Sequence, residues 1–288
     1  MEDLDLCWCG SKKPYNDCHK EFDLLLQEKK RQGYLVPPRK FIKNKEQIEG
    51  IRKASFFNNG LLDLIEQNIK VGMSTEDIDD LCVKYLEENN CESADFHYKG
   101  YPKHICTSIN DVVCHGIPSK KDILKNGDII NVDSTLMYNG YYADASRMFE
   151  IGNVSEKAHK LVYVTKECLN KALETIKPWH STLNDLAIAI ERYAHKRVFS
   201  VVEEFCGHGV GLKMHEDPFV LHYSVKTPTY LIVPGMVFTI EPMINEGLKY
   251  ITIDEKDQWT VRTQDHRLSA QWEHTIVITN DGFEVFSK

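Results

Sequence analysis

Five side chains stand in text that could hold metal ions: Asp133, Asp144, His208, Glu241 and Glu273. Asp133 and Asp144 fall in Gly127 to Phe149, GDIINVDSTLMYNGYYADASRMF, where Asn139-Gly140 predicts a two-residue type I′ hairpin turn with positive φ at both positions. That turn sets Asp144 opposite Thr135. Side chains alternate faces with period two, so Asp133 and Asp144 share a face as diagonal neighbours, with Cβ atoms roughly 7 Å apart or less. Two carboxylates on one face of a half-buried hairpin repel, and need a cation, a shared proton or abundant water. A solvent-facing edge hairpin would also tolerate them, but three further ligand types follow. His208 sits in Cys206-Gly207-His208-Gly209-Val210-Gly211, where glycines on both sides let the backbone approach something closely. Glu241 ends the apolar run Val237-Phe238-Thr239-Ile240, and Pro242 stops ladder pairing after it. Glu273 lies at the start of a strand read within Arg267 to Ile278. Four carboxylates and one imidazole suit two divalent ions held mainly by oxygen, with two double charges balancing four single ones. A metal-free cluster of this kind would be untenable in a core. Two such ions activate water and polarise a carbonyl.

A second set opens the chain. Cys7, Cys9, Cys18 and His19 in CWCGSKKPYNDCH give C-x-C-x8-C-H, four ligands suited to a closed structural zinc site. Gly10 and Pro14 supply the turns. The string resembles the zinc motif at the C-terminus of the SecA translocase, a module linked to chaperone and ribosome-associated proteins. The expected organisation is a zinc-binding motif over 1–20, a helix and Pro-containing linker over 21–40, and a main domain over 41–288. The helix is placed at about Glu21 to Gln32, stopped by Gly33, and Val36-Pro37-Pro38-Arg39 reads as a stiff linker.

The elements that must position the five acids and histidine come in two similar runs. Helices are read over Lys45 to Asn68 and from Ser74 or Thr75 to Asn89, the second with Asp77 in a capping-box position. Strand-like text follows over His104 to Ile109, then a loop over Val113 to Pro118, then the hairpin. Helices recur over Glu156 to Ile176 and from Ser181 or Thr182. Ile69-Lys70-x3-Ser74-Thr75 returns as Ile176-Lys177-x3-Ser181-Thr182, and Gly127-x5-Asp133 returns as Gly235-x5-Glu241. Two matches at nearly one offset point to a duplicated half, with Asp133 and Glu241 meeting across a pseudo-twofold axis.

Composition bounds the partners. The chain has 288 residues, 42% of them hydrophobic, and a net charge of −8, which argues against a general nucleic-acid binder. Twelve Lys or Arg against six Asp or Glu between Lys12 and Lys53 make a basic arm, a weak hint of an RNA or phosphate contact. No apolar run approaches the ~20 residues of a membrane span, and there is no signal-peptide core, so the chain is placed in the cytoplasm. Nine cysteines there are expected to be packed thiols or ligands rather than disulfides. G-x-S-x-G, H-E-x-x-H and P-loop motifs are absent.

From about Phe41 to Phe286 the chain resembles the type I methionine aminopeptidases. The matching text is VCHGIP, the hairpin GDIINVDSTLMYNGYYADASRMF, CGHGVG, HEDP, FTIEPM and SAQWEHT. The absence of a long insertion between His215 and Glu241 points to type I rather than type II. The resemblance implies an α+β "pita-bread" fold of two pseudo-symmetric halves. It implies removal of the initiator methionine from nascent polypeptides, with a small second residue preferred and two divalent ions (Fe, Mn, Co or Zn) as cofactors. Asp133 and Asp144 would bind one metal, His208 and Glu241 the other, with Asp144 and Glu273 bridging and Glu241 moving the proton of the attacking water. His115 would contact the substrate near its amino end, and His215 the scissile carbonyl or its oxyanion. Tyr98, Tyr101, Cys106 and Trp259 would line the methionine pocket. Asp95, His104 and Met214 depart from the family's usual residues around that pocket. Trp179-His180 departs in a connecting turn, where no consequence is expected. His159, His195 and His222 are read as loop histidines facing water. Two rivals remain: an X-Pro aminopeptidase of the same fold, and a non-catalytic binding protein docked to the ribosome by its zinc module.

Overall fold

A computed structural model describes residues 1–288. Five helices and fifteen strands follow one another as α1 (Lys20–Arg31), α2 (Lys45–Asn68), α3 (Thr75–Asn89), β1 (Glu92–Ser93), β2 (Cys106–Ile109), β3 (Val112–Cys114), β4 (Ile129–Tyr138), β5 (Tyr141–Glu150), α4 (Glu156–Glu174), α5 (Leu183–His195), β6 (Ser200–Val201), β7 (Gly207–Gly209), β8 (Glu216–Val220), β9 (Val237–Ile240), β10 (Met243–Asn245), β11 (Ile251–Ile253), β12 (Val261–Thr263), β13 (Ser269–Gln271), β14 (Glu273–Ile278) and β15 (Phe283–Ser287). Local chemistry sets the helix starts. Asn44 caps α2 and Ser74 caps α3, each in a reciprocal capping box with Gln47 and Asp77. Before α5, Asp185 accepts both the amide and the hydroxyl of Thr182. Asn90, in the left-handed region at φ 53°, ends α3.

The large sheet runs β1-β4-β5-β14-β9-β7-β8, with β2 on β4 and β15 on β14. Its centre, β4-β5-β14-β9, is a palindrome of two antiparallel pairs. Each pair carries its own helices and core. Ile51 apart, the buried apolar residues of α2 and α3 pack with Ile130, Val132, Leu136, Ala143 and Ala145 of β4 and β5. Those of α4 and α5 pack with Phe238, Ile240, Ile276 and Ile278 of β9 and β14. Ile51, Leu61, Leu62 and Ile65 of α2 are fully buried, worth roughly 2 kcal/mol each against exposure. The duplication read from the sequence is thus the architecture, and the fold is the α+β class expected. Asn139 and Gly140 take φ 50° and 80°, and Thr135 pairs with Asp144 in the register that turn dictates.

Three local readings change. Val112–Cys114 is a strand, not a loop, because it pairs with Val261–Thr263, a partner more than a hundred residues away. Arg267 to Ile278 is two strands. β13 pairs with β10 in a separate three-stranded sheet, and the chain breaks at Trp272 before β14 enters the large sheet. Trp179 has a consequence: its ring meets Phe22 of α1 edge-on at 5.0 Å, and Leu26 of α1 joins the main core. The N-terminal segment is therefore packed on the body. Asp23, buried, accepts Trp8 Nε1 at 3.1 Å, Tyr15 Oη at 2.8 Å and Arg39 at 2.5 Å, and Asn44 Nδ2 donates to the Cys9 carbonyl at 2.7 Å.

Candidate active site

The sheet's central strands face one cavity of about 490 Å3. Asp133 of β4, Asp144 of β5, His208 of β7, Glu241 just past β9 and Glu273 at the head of β14 all line it. Ligand atoms of Asp144, His208 and Glu273 lie within 4.8 Å of one another. His208 Nε2 is 3.6 Å from Asp144 Oδ2 and 3.6 Å from Glu241 Oε1. Asp133 lies two residues before Thr135, the register partner of Asp144, and faces the same cavity. All five candidate ligands thus line one cavity, and these distances bring Asp144, His208, Glu241 and Glu273 close together.

Burial, then repulsion by neighbouring carboxylates, pushes the Asp144, Glu241 and Glu273 carboxyls well above their ordinary range, and burial pushes Asp133 up to about 7. Burial holds His208 near 4, so its ring is neutral at pH 7. Nδ1–H donates to the Gly209 carbonyl at 3.0 Å, which leaves the Nε2 lone pair facing two carboxylate oxygens. Acceptors set against acceptors fit a divalent cation, or a pair, and fit little else once the acids ionise.

A layer behind the ligands fixes their orientation. Thr239 Oγ1 donates to Glu241 Oε1 at 2.7 Å and accepts the His208 amide at 3.0 Å. Thr135 Oγ1 donates to Asp144 Oδ1 at 2.9 Å, and Gln271 Nε2 to Glu241 Oε2 at 3.4 Å. Period two signals Thr239, two residues before Glu241, and the hairpin register signals Thr135, opposite Asp144. His222 corrects the sequence reading. It is buried, its Nε2 accepts the Glu241 amide at 3.2 Å, and burial, then His208, holds its pKa near 3. It lies between strand β8 and the exposed loop that follows, and only the tertiary fold turns it inward. His159 and His195 are exposed, as expected, but stand on helices α4 and α5 rather than in loops. The glycines flanking His208 also find their reason. A Cβ on Gly207 would meet the Thr239 carbonyl oxygen at 2.5 Å, and one on Gly209 the Asp217 carbonyl oxygen at 2.2 Å, so they let neighbouring strands close on the histidine.

His115, His215, Tyr98, Tyr101, Cys106 and Trp259 line the same cavity. Tyr101 meets Trp259 edge-on at 5.1 Å, His115 meets Trp259 at 5.9 Å, and Tyr98 lies 5.3 Å from His215. Burial, then His215, lowers His115 to about 4, and burial, then Lys99, lowers His215. Asp95 and Met214 are in the wall, together with Phe205 and Met243, which sequence reasoning did not single out. His104 is not: its amide donates to Asp79 Oδ1 at 2.8 Å and its ring stacks on Phe96.

At the N-terminus the four predicted ligands converge. Cys7 and Cys18 sulfurs lie 3.2 and 3.1 Å from His19 Nδ1, and the Cys9 and Cys18 sulfurs are 3.6 Å apart. A tetrahedron of Zn–S bonds of about 2.3 Å has S···S edges of about 3.8 Å, close to that spacing.

Comparison with known proteins places this geometry. The profile of metallopeptidase family M24 matches residues 49–280. The methionine aminopeptidase of Escherichia coli K12 is 44% identical over 247 residues, 85% of this chain and 93% of that protein. That of Chlamydia trachomatis is 44% identical over 298 aligned positions, spanning 100% of this chain and 99% of that one. The crystal structure of methionine aminopeptidase from Rickettsia prowazekii superposes with a TM-score of 0.83 at 40% identity, covering 88% of this chain and 100% of that chain. Prolidase from Pyrococcus furiosus, at 22% identity and a TM-score of 0.69, shares the fold. Profile, identity and coverage agree, and the chain belongs to metallopeptidase family M24, among its methionine aminopeptidases.

Proposed function

We propose that this chain removes the initiator methionine from nascent polypeptides by hydrolysing the N-terminal Met–Xaa bond, with two divalent ions in the cavity and a preference for a small second residue. The observation that carries the reading is His208 Nε2 set 3.6 Å from both Asp144 Oδ2 and Glu241 Oε1, at the floor of a cavity walled by aromatic and sulfur side chains. Asp133, Asp144, His208, Glu241 and Glu273 would hold the ions, drawn from Fe, Mn, Co or Zn. When bound, such ions polarise the carbonyl and lower the pKa of water.

The chain's own groups do the rest. Tyr98, Tyr101, Cys106 and Trp259 take the methionine side chain, whose thioether suits aromatic edges and a thiol. His115 meets the substrate near its amino end as a neutral ring, adding no charge beside the ammonium group. His215 donates a hydrogen bond to the carbonyl oxygen as negative charge develops there, where a fixed donor contributes most. Glu241, held at one oxygen by Thr239 and at the other by Gln271, takes a proton from the attacking water. It returns that proton to the nitrogen of the breaking C–N bond. Met214, His215 and Phe219 share the cavity lining with the proposed methionine pocket, and a small second residue would sit beside them with least hindrance.

The same reading assigns residues 41–288 to catalysis, Cys7, Cys9, Cys18 and His19 to a structural zinc, and 21–40 to a connecting helix and linker. The basic arm and zinc module would contact the ribosome or a chaperone in the cytoplasm. No helix is long and apolar enough to cross a membrane. Purified protein given Met-Ala-Ser and Met-Lys-Ser tests the proposal. Metal-dependent release of methionine from the first and little from the second is expected. No release with Fe(II), Mn(II) or Co(II) rejects it.

A further inference from the structure

The turn that presents His215 is held from behind by a dry ion pair. The Lys43 side chain is only 2% exposed, and its Nζ donates to Glu216 Oε2 at 2.5 Å. The other oxygen, Oε1, accepts the backbone amides of Leu212 at 2.7 Å and Lys213 at 3.2 Å. One carboxylate therefore closes the Leu212-to-Glu216 turn, and His215 is the residue beside it. Lys43 is itself anchored on both sides. Its amide donates to the Gly235 carbonyl at 2.8 Å, and its neighbour Asn44 caps α2 and donates to the Cys9 carbonyl of the N-terminal module. Three residues back, Lys40 pairs with Asp217 at 2.6 Å, but that pair is open to water, its side chains 67% and 46% exposed, and adds little.

A buried ion pair is a weak source of stability, because desolvating both charges offsets their attraction, whereas removing one partner is costly. What such a pair does contribute here is direction: three donors from two separated segments fix one carboxylate in one place. Lys43 is not among the groups that set the basicity of His215, which answers to burial and then to Lys99. Its reach into the site is mechanical.

We propose that Lys43 is a positioning residue for the reaction, holding the Leu212-to-Glu216 turn through Glu216 so that His215 faces the cavity. This rests on the reading of His215 as donor to the substrate carbonyl. Displacing a positioned group by about 1 Å costs on the order of 100-fold in rate, so Lys43→Met lowers kcat on Met-Ala-Ser by about 10- to 100-fold. KM and metal content change far less, and Lys43→Arg, which keeps the charge and the donor, recovers most of the rate. In a His215→Ala background, Lys43→Met costs nothing further.

The experiment measures kcat, KM, bound metal and Tm for the parent, Lys43→Met, Lys43→Arg, His215→Ala and the Lys43→Met/His215→Ala double variant. A Lys43→Met protein that folds, binds metal and keeps the parent kcat overturns the proposal. So do losses that multiply in the double variant, which is what general weakening of the fold produces. Should Lys43→Met fail to fold, Glu216→Gln decides: it keeps an acceptor for the two amides and removes only the charge that Lys43 grips. It should show the same fall in kcat and the same silence in the His215→Ala background. Failure of the functional reading looks different, since the metal-loaded parent itself would then release no methionine.

Discussion

Neutralising one acid of the floor should stabilise the metal-free protein, and the size of the gain can be worked out. The perturbation is Asp133→Asn. Asp133 in the folded protein is held near 7, chiefly by burial, against 3.8 for a free aspartate. A group whose folded pKa lies above its unfolded one binds its proton more tightly when folded. Its contribution is whole below about pH 3.8 and is lost as the pH rises through about 7. At about 1.4 kcal/mol per pH unit, the ionised, metal-free protein is then about 4 kcal/mol less stable than its protonated form.

Asparagine mimics the neutral acid, so the variant should match the parent at pH 4 and exceed it at pH 8. For a chain of this length the unfolding entropy is about 0.6 kcal/mol/K, so a recovery of half to all of the penalty raises Tm by about 3 to 7 °C. The assay is thermal unfolding of both proteins in chelator, from pH 4 to 8.5, repeated with Mn(II) or Co(II). Metal should raise the parent's Tm at pH 8, by about 2.7 kcal/mol of stability at a hundredfold excess over Kd, and should do much less for the variant. The reasoning is refuted if the variant is no more stable than the parent in chelator at pH 8, or if the difference does not change with pH. Either result would mean that the floor is not a crowd of acids awaiting a cation.

Glu241→Gln should lower kcat on Met-Ala-Ser by about 100-fold or more, the contribution of a positioned acid–base, and unchanged turnover would remove Glu241 from that role. His222→Phe leaves the buried Glu241 amide without an acceptor, so unfolding measurements should show a loss of about 1–3 kcal/mol, and elemental analysis weaker metal retention. Replacing Cys7 and Cys9 by Ser should remove one zinc per chain by elemental analysis while leaving tripeptide hydrolysis near the parent rate. Deleting Met1 to Gln32 should preserve hydrolysis of short peptides but lower Tm, because Trp179 loses Phe22 and the main core loses Leu26.

Most of what positions the floor was readable in the chain. The Asn139-Gly140 turn fixed the β4–β5 register without any tertiary information, because a two-residue loop leaves no freedom in which residues face each other. The capping box at Ser74 likewise acts within three residues. The misreadings are all non-local. Val112–Cys114 is a strand only because Val261–Thr263 lies beside it. Trp272 interrupts its strand because the segments before and after it belong to different sheets. His222 turns inward to an amide nineteen positions further on. Lys43 and Trp179 looked like members of a basic arm and a turn, and their roles come from segments that no period or spacing connects to them.

The convergence of the five ligands has one structural cause. Two hairpin-like pairs, β4-β5 and β9-β14, meet edge to edge through the Ala145–His274 pairing, and each pair carries an acid on each of its strands or just past it. A half-turn about that pairing exchanges Asp144 with Glu273, each one residue before the paired position, while Asp133 sits on the outer strand of one pair and Glu241 just past the outer strand of the other. Either half alone would leave two like charges on an apolar face with nothing to balance them. Joined, the halves make a four-acid floor whose repulsion protons or cations relieve, and the imidazole of His208, contributed from the next strand, adds a neutral nitrogen on one side. That one-sided addition breaks the symmetry of the site. It gives the Glu241 side of the floor a neighbouring imidazole that the Asp133 side lacks.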